Sequence, residues 1–158
     1  MMESRYAQRL RKAGLRVTAP RLAVLAVLRP GTHPKVEEIA TAARRRLGSL
    51  STQAVYDVLR MLDEAGLVRH LEPAGHPARY EVRVADNHHH LICRACGSIV
   101  DVDCALGAAP CLEPAADAGY LVDEADVTYW GWCPSCRREP DRDRTAATLP
   151  PPATEVLP

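Results

Sequence analysis

No stretch of this chain approaches the roughly eighteen consecutive apolar residues that a membrane-spanning helix requires. Residues 1–14 are charged and contain no apolar core of the kind a secretory signal carries. No sequence repeat is present beyond two Cys-x-x-Cys pairs, and no thioredoxin-like βαβ pattern surrounds either of them. These absences argue against a membrane span and a dithiol oxidoreductase, and they lead to the expectation of a cytoplasmic protein. In a reducing compartment the six cysteines are expected to be metal ligands or free thiols rather than disulfides. At 158 residues the chain is long enough for one ordinary domain or two small ones.

Net charge is missing too, since 20 basic side chains balance 20 acidic ones. The balance conceals an asymmetry. Residues 1–83 hold 15 Lys and Arg against 8 Asp and Glu, giving +7, whereas residues 84–158 hold 5 against 12, giving −7. A basic half followed by an acidic half points to a polyanion-binding module joined to a second unit; the competing explanation is chance scatter of surface charge.

The basic half reads as helices. Tyr6, Leu10 and Leu15 form a loose apolar stripe that Gly14 ends. Thr18 suits an N-cap with Pro20 in the first turn, Leu22, Leu25 and Leu28 continue the apolar face, and Pro30-Gly31 breaks it. Pro34 opens a third segment with Val36, Ile39, Ala40, Ala43 and Leu47 at helical spacing, stopped by Gly48. Ser51 can cap a fourth helix that turns Ala54, Val55, Val58, Leu59 and Leu62 inward and leaves Thr52, Gln53, Tyr56, Asp57 and Arg60 outside, with Gly66 at its end. Two β-forming runs, residues 67–71 and 79–84, flank the turn Pro73-Ala74-Gly75-His76-Pro77. Helices closed by a hairpin are the winged helix-turn-helix layout, whose second motif helix enters the DNA major groove.

Residues 84–87 read as a hinge. Beyond it, residues 91–93, 99–103 and 120–132 read as strands, with a short helix around 112–118. From Arg137 the chain is polar and proline-rich, and is expected to be a disordered tail. The fold class is therefore α+β, divided into residues 1–83, a hinge at 84–87, a small second domain at 88–136 and a tail at 137–158.

Cys93, Cys96, Cys133 and Cys136 form a C-x2-C…C-x2-C set, in which each two-residue spacing lets both sulfurs of one turn face the same ion. Four thiolates close a tetrahedral zinc with no open position. Redox disulfide pairs and a rubredoxin-like iron centre are the alternatives. Cys104 and Cys111 lie off both turns and read as inert thiols, with a ligand or sensor role as the alternative. Immediately before the first pair, His88 and His90 alternate along a strand and so share one face, while His89 points to the other. Asp101 joins them if the next strand pairs with theirs. His33 and Glu81 are further candidates that spacing alone does not bring near, and a solvated strand end is the bland alternative for the histidines.

With these residues in view, the chain resembles the ferric uptake regulator family of metal-dependent repressors over nearly its whole length except the tail. His33-Pro34, Ser51-Thr52-Gln53-Ala54-Val55-Tyr56, Arg79-Tyr80-Glu81, the His-x-His-x-x-Cys-x-x-Cys-Gly run ending at Gly97, and Cys133-x-x-Cys136 carry the likeness. Residues 101–111 and Tyr129-Trp130-Gly131-Trp132-Cys133 look most like its peroxide-responsive branch, and Asp101 stands where peroxide sensors carry Asp and iron sensors carry Glu. The resemblance implies a regulatory Fe(II) or Mn(II) site of His33, Glu81, His88, His90 and Asp101 beside structural Zn(II) on the four cysteines. It also implies a homodimer joined through residues 88–136, and a pseudo-palindromic double-stranded DNA operator with Thr52, Gln53 and Tyr56 as candidate base or methyl contacts, while Arg60 and the Arg44-Arg45-Arg46 cluster either touch phosphate or are solvated. The chain departs from the family at Asp57, where many members carry a base-contacting Arg. It departs again at Asn87, His89 and Ala108, where a third metal site would need ligands, and at Trp132, which replaces a His.

The expected function is thus a repressor, not an enzyme, that releases its operator when Fe(II)-catalysed oxidation modifies a histidine ligand. The same fold sensing iron or zinc levels is the first alternative, a thiol oxidoreductase or a metal hydrolase the second, and a purely structural zinc protein, which the basic helical half argues against, the third.

Overall fold

The computed structural model describes residues 2–82, 88–103, 116–122 and 125–137. Four helices come first: α1 (Met2–Lys12), α2 (Ala19–Val27), α3 (Val36–Leu47) and α4 (Thr52–Glu64). The hairpin strands β1 (Val68–Leu71) and β2 (Arg79–Val82) follow, then β3 (His88–Cys93), β4 (Ile99–Asp103), β5 (Thr128–Gly131) and the single turn α5 (Pro134–Arg137).

Apolar spacing explains the helical half. Leu10, Val24, Leu25, Leu28, Ile39, Ala43, Val55, Leu59 and Leu62 are buried together, with Val68, Tyr80 and Val82 of the hairpin closing the cluster. Each large aliphatic buried there contributes roughly 1.5–3 kcal/mol. The caps are local. Ser51 Oγ accepts the Ala54 N–H at 3.1 Å, the Glu38 carboxylate accepts the Lys35 N–H at 2.7 Å, and Gly48 leaves α3 at φ 81°. Thr18 occupies the N-cap position of α2 with extended backbone, but its hydroxyl makes no capping hydrogen bond; Pro20 in the first turn sets that start.

The hairpin pairs antiparallel, Val68 opposite Val82 and Leu71 opposite Arg79. Its outer edge is extended by the segment before α3. Lys35 bridges Arg79, and the Tyr80 N–H donates to Pro34 O at 3.1 Å. That pairing carries His33 to the side of Glu81, which explains why a 48-residue separation in sequence becomes a contact.

The second sheet has the order β4-β3-β5, with β4 antiparallel and β5 parallel to β3. In this register His90 faces Asp101, and Leu91 lies between Val100 and Tyr129. Those three apolar residues are exposed side by side on one face of the sheet.

Two sequence readings change. Among the described residues the strand read over 120–132 is confined to Thr128–Gly131. Residues 116–122 form no strand, because Asp117 accepts the Gly119 N–H at 2.9 Å and Ala118 turns the chain at φ 49°. Of the helix read over 112–118, residues 116–118 are not helical and the remainder lies outside the described residues. β3 starts at His88, so the alternating His88 and His90 lie on one strand with residues 91–93. The hinge at 84–87, Cys104, Cys111, Ala108 and the tail beyond Arg137 also lie outside the described residues. Among the described residues no helix is long and apolar enough to cross a membrane.

Candidate metal centres

Cys93 and Cys96 flank the turn that ends β3, while Cys133 and Cys136 bracket the start of α5. The first turn is closed by Gly97 N–H to Cys93 O at 2.9 Å, with Gly97 at φ 66°, a conformation glycine adopts without strain. The Arg94 N–H donates to Gly131 O at 2.8 Å and ties the two turns together. All four sulfurs come within 4.8 Å of one another, and Cys96 Sγ is 3.8 Å from Cys133 Sγ. A sulfur–sulfur edge of about 3.8 Å is what a tetrahedron of about 2.3 Å zinc–thiolate bonds produces, and it is far beyond a disulfide's roughly 2.05 Å. The four are free thiols.

Their acidities differ. Burial pushes the Cys93 thiol up, but N–H groups of Cys133, Cys96 and Ala95 and the Cys96 side chain outweigh it and hold the thiol near about 6. Cys96 is lowered, chiefly by its hydrogen bond with Ser98. Cys136 is pushed up to about 12, first by hydrogen bonding with Cys133, then by burial and the neighbouring sulfurs. Without a cation the cluster keeps a proton, and a divalent cation replaces it.

The second cluster joins the helical half to the sheet. His33 comes from the segment before α3, Glu81 from β2, His88 and His90 from β3, and Asp101 from β4. Three imidazole nitrogens converge on one carboxylate oxygen: Nε2 of His33 and of His90 lie 3.1 Å from Glu81 Oε2, and Nε2 of His88 lies 3.3 Å from it. Asp101 Oδ1 is 2.8 Å from His33 Nε2, 3.8 Å from His90 Nε2 and 4.0 Å from His88 Nε2. His33, Glu81, His90 and Asp101 each offer a donor within 4.8 Å of the others, and His88 adds a fifth beside them. His90 is wholly buried, and His33 and Glu81 nearly so. Burial pushes the Glu81 carboxyl up, yet hydrogen bonds from His33 and His90 and the charge of His90 and His88 hold it well below the usual carboxylate range.

These residues fit a divalent cation on one observation in particular. Asp101 Oδ1 is buried and has no hydrogen-bond partner, because its 2.8 Å approach to His33 lacks hydrogen-bond geometry. Leaving a buried charged oxygen unpaired costs several kcal/mol. A cation among the five donors supplies the missing partner and offsets two carboxylate charges. Mixed imidazole and carboxylate donors suit Fe(II), Mn(II) or Zn(II), with Zn(II) held most tightly of the three at equilibrium.

On α4, Thr52, Gln53, Tyr56 and Arg60 are exposed, as expected, but three of them are engaged within the chain. Thr52 Oγ1 accepts from Arg44 Nη2 at 2.7 Å, Gln53 Nε2 donates to Asp57 Oδ1 at 3.1 Å, and Arg60 pairs with Asp57 at 3.7 Å. Arg44 also donates to Leu50 O at 2.6 Å, so it pins the turn between α3 and α4 rather than standing free beside Arg45 and Arg46. Sequence reasoning passed over Arg69 and the contacts that Arg44 makes within the chain. Arg69 lies 3.8 Å from Glu81 Oε1 and 3.7 Å from Asp126, and nothing in its spacing signals either contact.

The family model described as "Ferric uptake regulator family" matches residues 12–128. The chain belongs to the ferric uptake regulator family. It is 56% identical over 131 residues to the transcriptional regulator FurA of Mycobacterium tuberculosis, covering 83% of this chain and 89% of that protein. It is 32% identical over 136 residues to the peroxide-responsive repressor PerR of Staphylococcus epidermidis, covering 82% and 87%. The structure of the ferric uptake regulator from Pseudomonas aeruginosa with manganese matches with a TM-score of 0.67 at 26% identity, covering 82% of this chain and 98% of that one. Members of the ferric uptake regulator family are metal-responsive, dimeric, DNA-binding transcriptional regulators and not enzymes. This chain is accordingly a metal-responsive transcriptional regulator, which removes the oxidoreductase and hydrolase readings.

Proposed function

We propose that the protein is a metal-dependent repressor that binds a pseudo-palindromic operator as a homodimer. Residues 1–83 form its winged-helix DNA-binding domain, 84–87 its hinge and 88–136 its metal-binding dimerisation domain. Zn(II) on Cys93, Cys96, Cys133 and Cys136 is structural, and Fe(II) or Mn(II) on His33, Glu81, His88, His90 and Asp101 is regulatory. The observation that carries this reading is the convergence of donors from both halves on Glu81 Oε2. His33 and Glu81 move with the helices, whereas His88, His90 and Asp101 move with the sheet, so engaging all five donors fixes one half against the other. A ligand acts on such an equilibrium only through its differential affinity; taking 1:99 to 99:1 requires about 5.5 kcal/mol. In the fixed orientation α4 offers Thr52, Gln53 and Tyr56 to the major groove of each half-site and Arg60 to the phosphate backbone beside it.

The finer proposal is that the regulatory site senses peroxide. Asp101 supports it, as the shorter carboxylate at the position where the resemblance separates peroxide from iron sensors. Bound Fe(II) supplies one-electron chemistry toward hydrogen peroxide. His33 and His88 are the imidazoles expected to acquire oxygen. A modified ring donates less well, so the set loses a member, the two halves relax and the operator is released. Iron- or zinc-level sensing on the same fold is the second reading, and the match to the ferric uptake regulator family suits iron.

Operator binding measured under Mn(II), and under Fe(II) with and without peroxide, followed by peptide mass spectrometry, separates the two. Peroxide sensing requires release from the Fe(II) form alone, with added oxygen on His33 or His88. Retention of the operator with unmodified histidines, together with release on chelation, leaves iron-level sensing.

A further inference from the structure

The hairpin tip rests on the thiolate turn. His76 Nε2 lies 3.1 Å from Arg94 O, within the Cys93–Cys96 turn, and the His76 N–H is held by Pro73 O at 2.9 Å, which sets the tip's shape. The seat has no spare room. A Cβ added at the buried Gly97 would stand 2.6 Å from His76 Cγ and 2.8 Å from its Nδ1. Directly behind the tip, the Arg79 guanidinium spans two carbonyls, donating from Nη2 to Gly97 O at 3.0 Å and from Nη1 to His33 O at 3.2 Å. One of those carbonyls belongs to the residue whose N–H closes the Cys93 turn; the other belongs to a donor of the His/Glu/Asp cluster.

We propose that Arg79, supported by His76, is a positioning residue that couples the four-thiolate centre to the five-donor centre, so that occupancy of either site strengthens the other. The connection is short and continuous. Thiolates of Cys93 and Cys96 fix their turn, the turn presents Gly97 O, Arg79 reads that carbonyl and holds His33 O, and His33 sets its ring toward Glu81 and Asp101. Arginine suits the post because its planar fork presents donors in a fixed geometry to two acceptors, whereas a lysine ammonium is a single point charge. Coupling of this kind is reciprocal: whatever factor Mn(II) adds to zinc affinity, zinc adds to Mn(II) affinity. This inference rests on the regulatory site proposed above and goes beyond it, since that reading treats the thiolate centre only as scaffold.

The test uses full-length protein loaded with one zinc per chain. Zinc affinity is measured by competition with a chromophoric chelator, with and without saturating Mn(II), and Mn(II) affinity is followed separately from the free-ion electron paramagnetic resonance signal. In the wild-type chain Mn(II) should tighten zinc about fivefold or more, the lower end of ordinary coupling. In Arg79→Gln, Arg79→Lys and His76→Ala the gain should fall below about twofold, while each variant keeps its zinc and its helical circular dichroism. His76→Ala decides the matter if the Arg79 variants fail to fold. Variants that retain the wild-type tightening overturn the proposal, as does a wild-type chain that binds Mn(II) through His90 yet shows no tightening. If Mn(II) does not bind the wild type, or binds His90→Ala equally well, the regulatory site itself is wrong and the coupling falls with it.

Discussion

Glu81 concentrates the chemistry of the mixed centre, because three imidazoles meet at one of its oxygens. Glu81→Gln keeps the shape and removes the charge. Mn(II) affinity should fall by at least about 10–100-fold, the loss typical of even outlying partners of a metal ligand, while zinc content stays at one per chain. Unchanged Mn(II) affinity would move the centre elsewhere. The thiolates make a separate prediction. Cys136, pushed up to about 12 by its neighbouring sulfurs, holds a proton more tightly than Cys93, which is lowered to about 6. Zinc uptake by the stripped protein should therefore release at least one proton per chain into a weakly buffered dye solution, and apparent zinc affinity should fall as the pH is lowered. Uptake with no proton release would contradict that picture. Much of this scale was legible in the sequence. His88 and His90 announced a shared face, and Asp101 needed only the pairing that β3 and β4 make. His33 was not legible from spacing, because a bridge from Lys35 to Arg79 brings it in and no local pattern encodes that contact.

At the level of elements, caps and breakers placed the helices well, since Gly48, Ser51 and Gly66 act through neighbours a few residues away. Whether a cap bonds is another matter. Ser51 Oγ holds the Ala54 N–H, whereas the Thr18 hydroxyl holds nothing at its helix start. Ser51→Ala should cost about 1 kcal/mol in chemical denaturation with both metal sites filled, and Thr18→Ala only a few tenths. Equal losses would mean that the two starts are held alike. The strand read over 120–132 failed for a related reason. The β-forming run Tyr120-Leu121-Val122 looks extended, but the turn at Asp117–Gly119 and the exposure of Tyr120 and Leu121 leave nothing for it to pair with among the described residues.

For the molecule as a whole, the charge asymmetry becomes a statement about duplex binding. Operator affinity should fall steeply with salt, and Arg60→Ala should lower the slope of log affinity against log salt by about 1, through loss of one phosphate contact. A slope that does not change would place Arg60 away from phosphate. The row of Leu91, Val100 and Tyr129 across three adjacent strands bears on the same scale. A lone chain wets this ribbon of oily side chains, so dilution should lower the melting temperature and concentration should raise it, in the way mass action governs any subunit that hides its greasy flank against a twin. How much repressor a cell makes would then set how long each copy survives, before any metal or operator is counted.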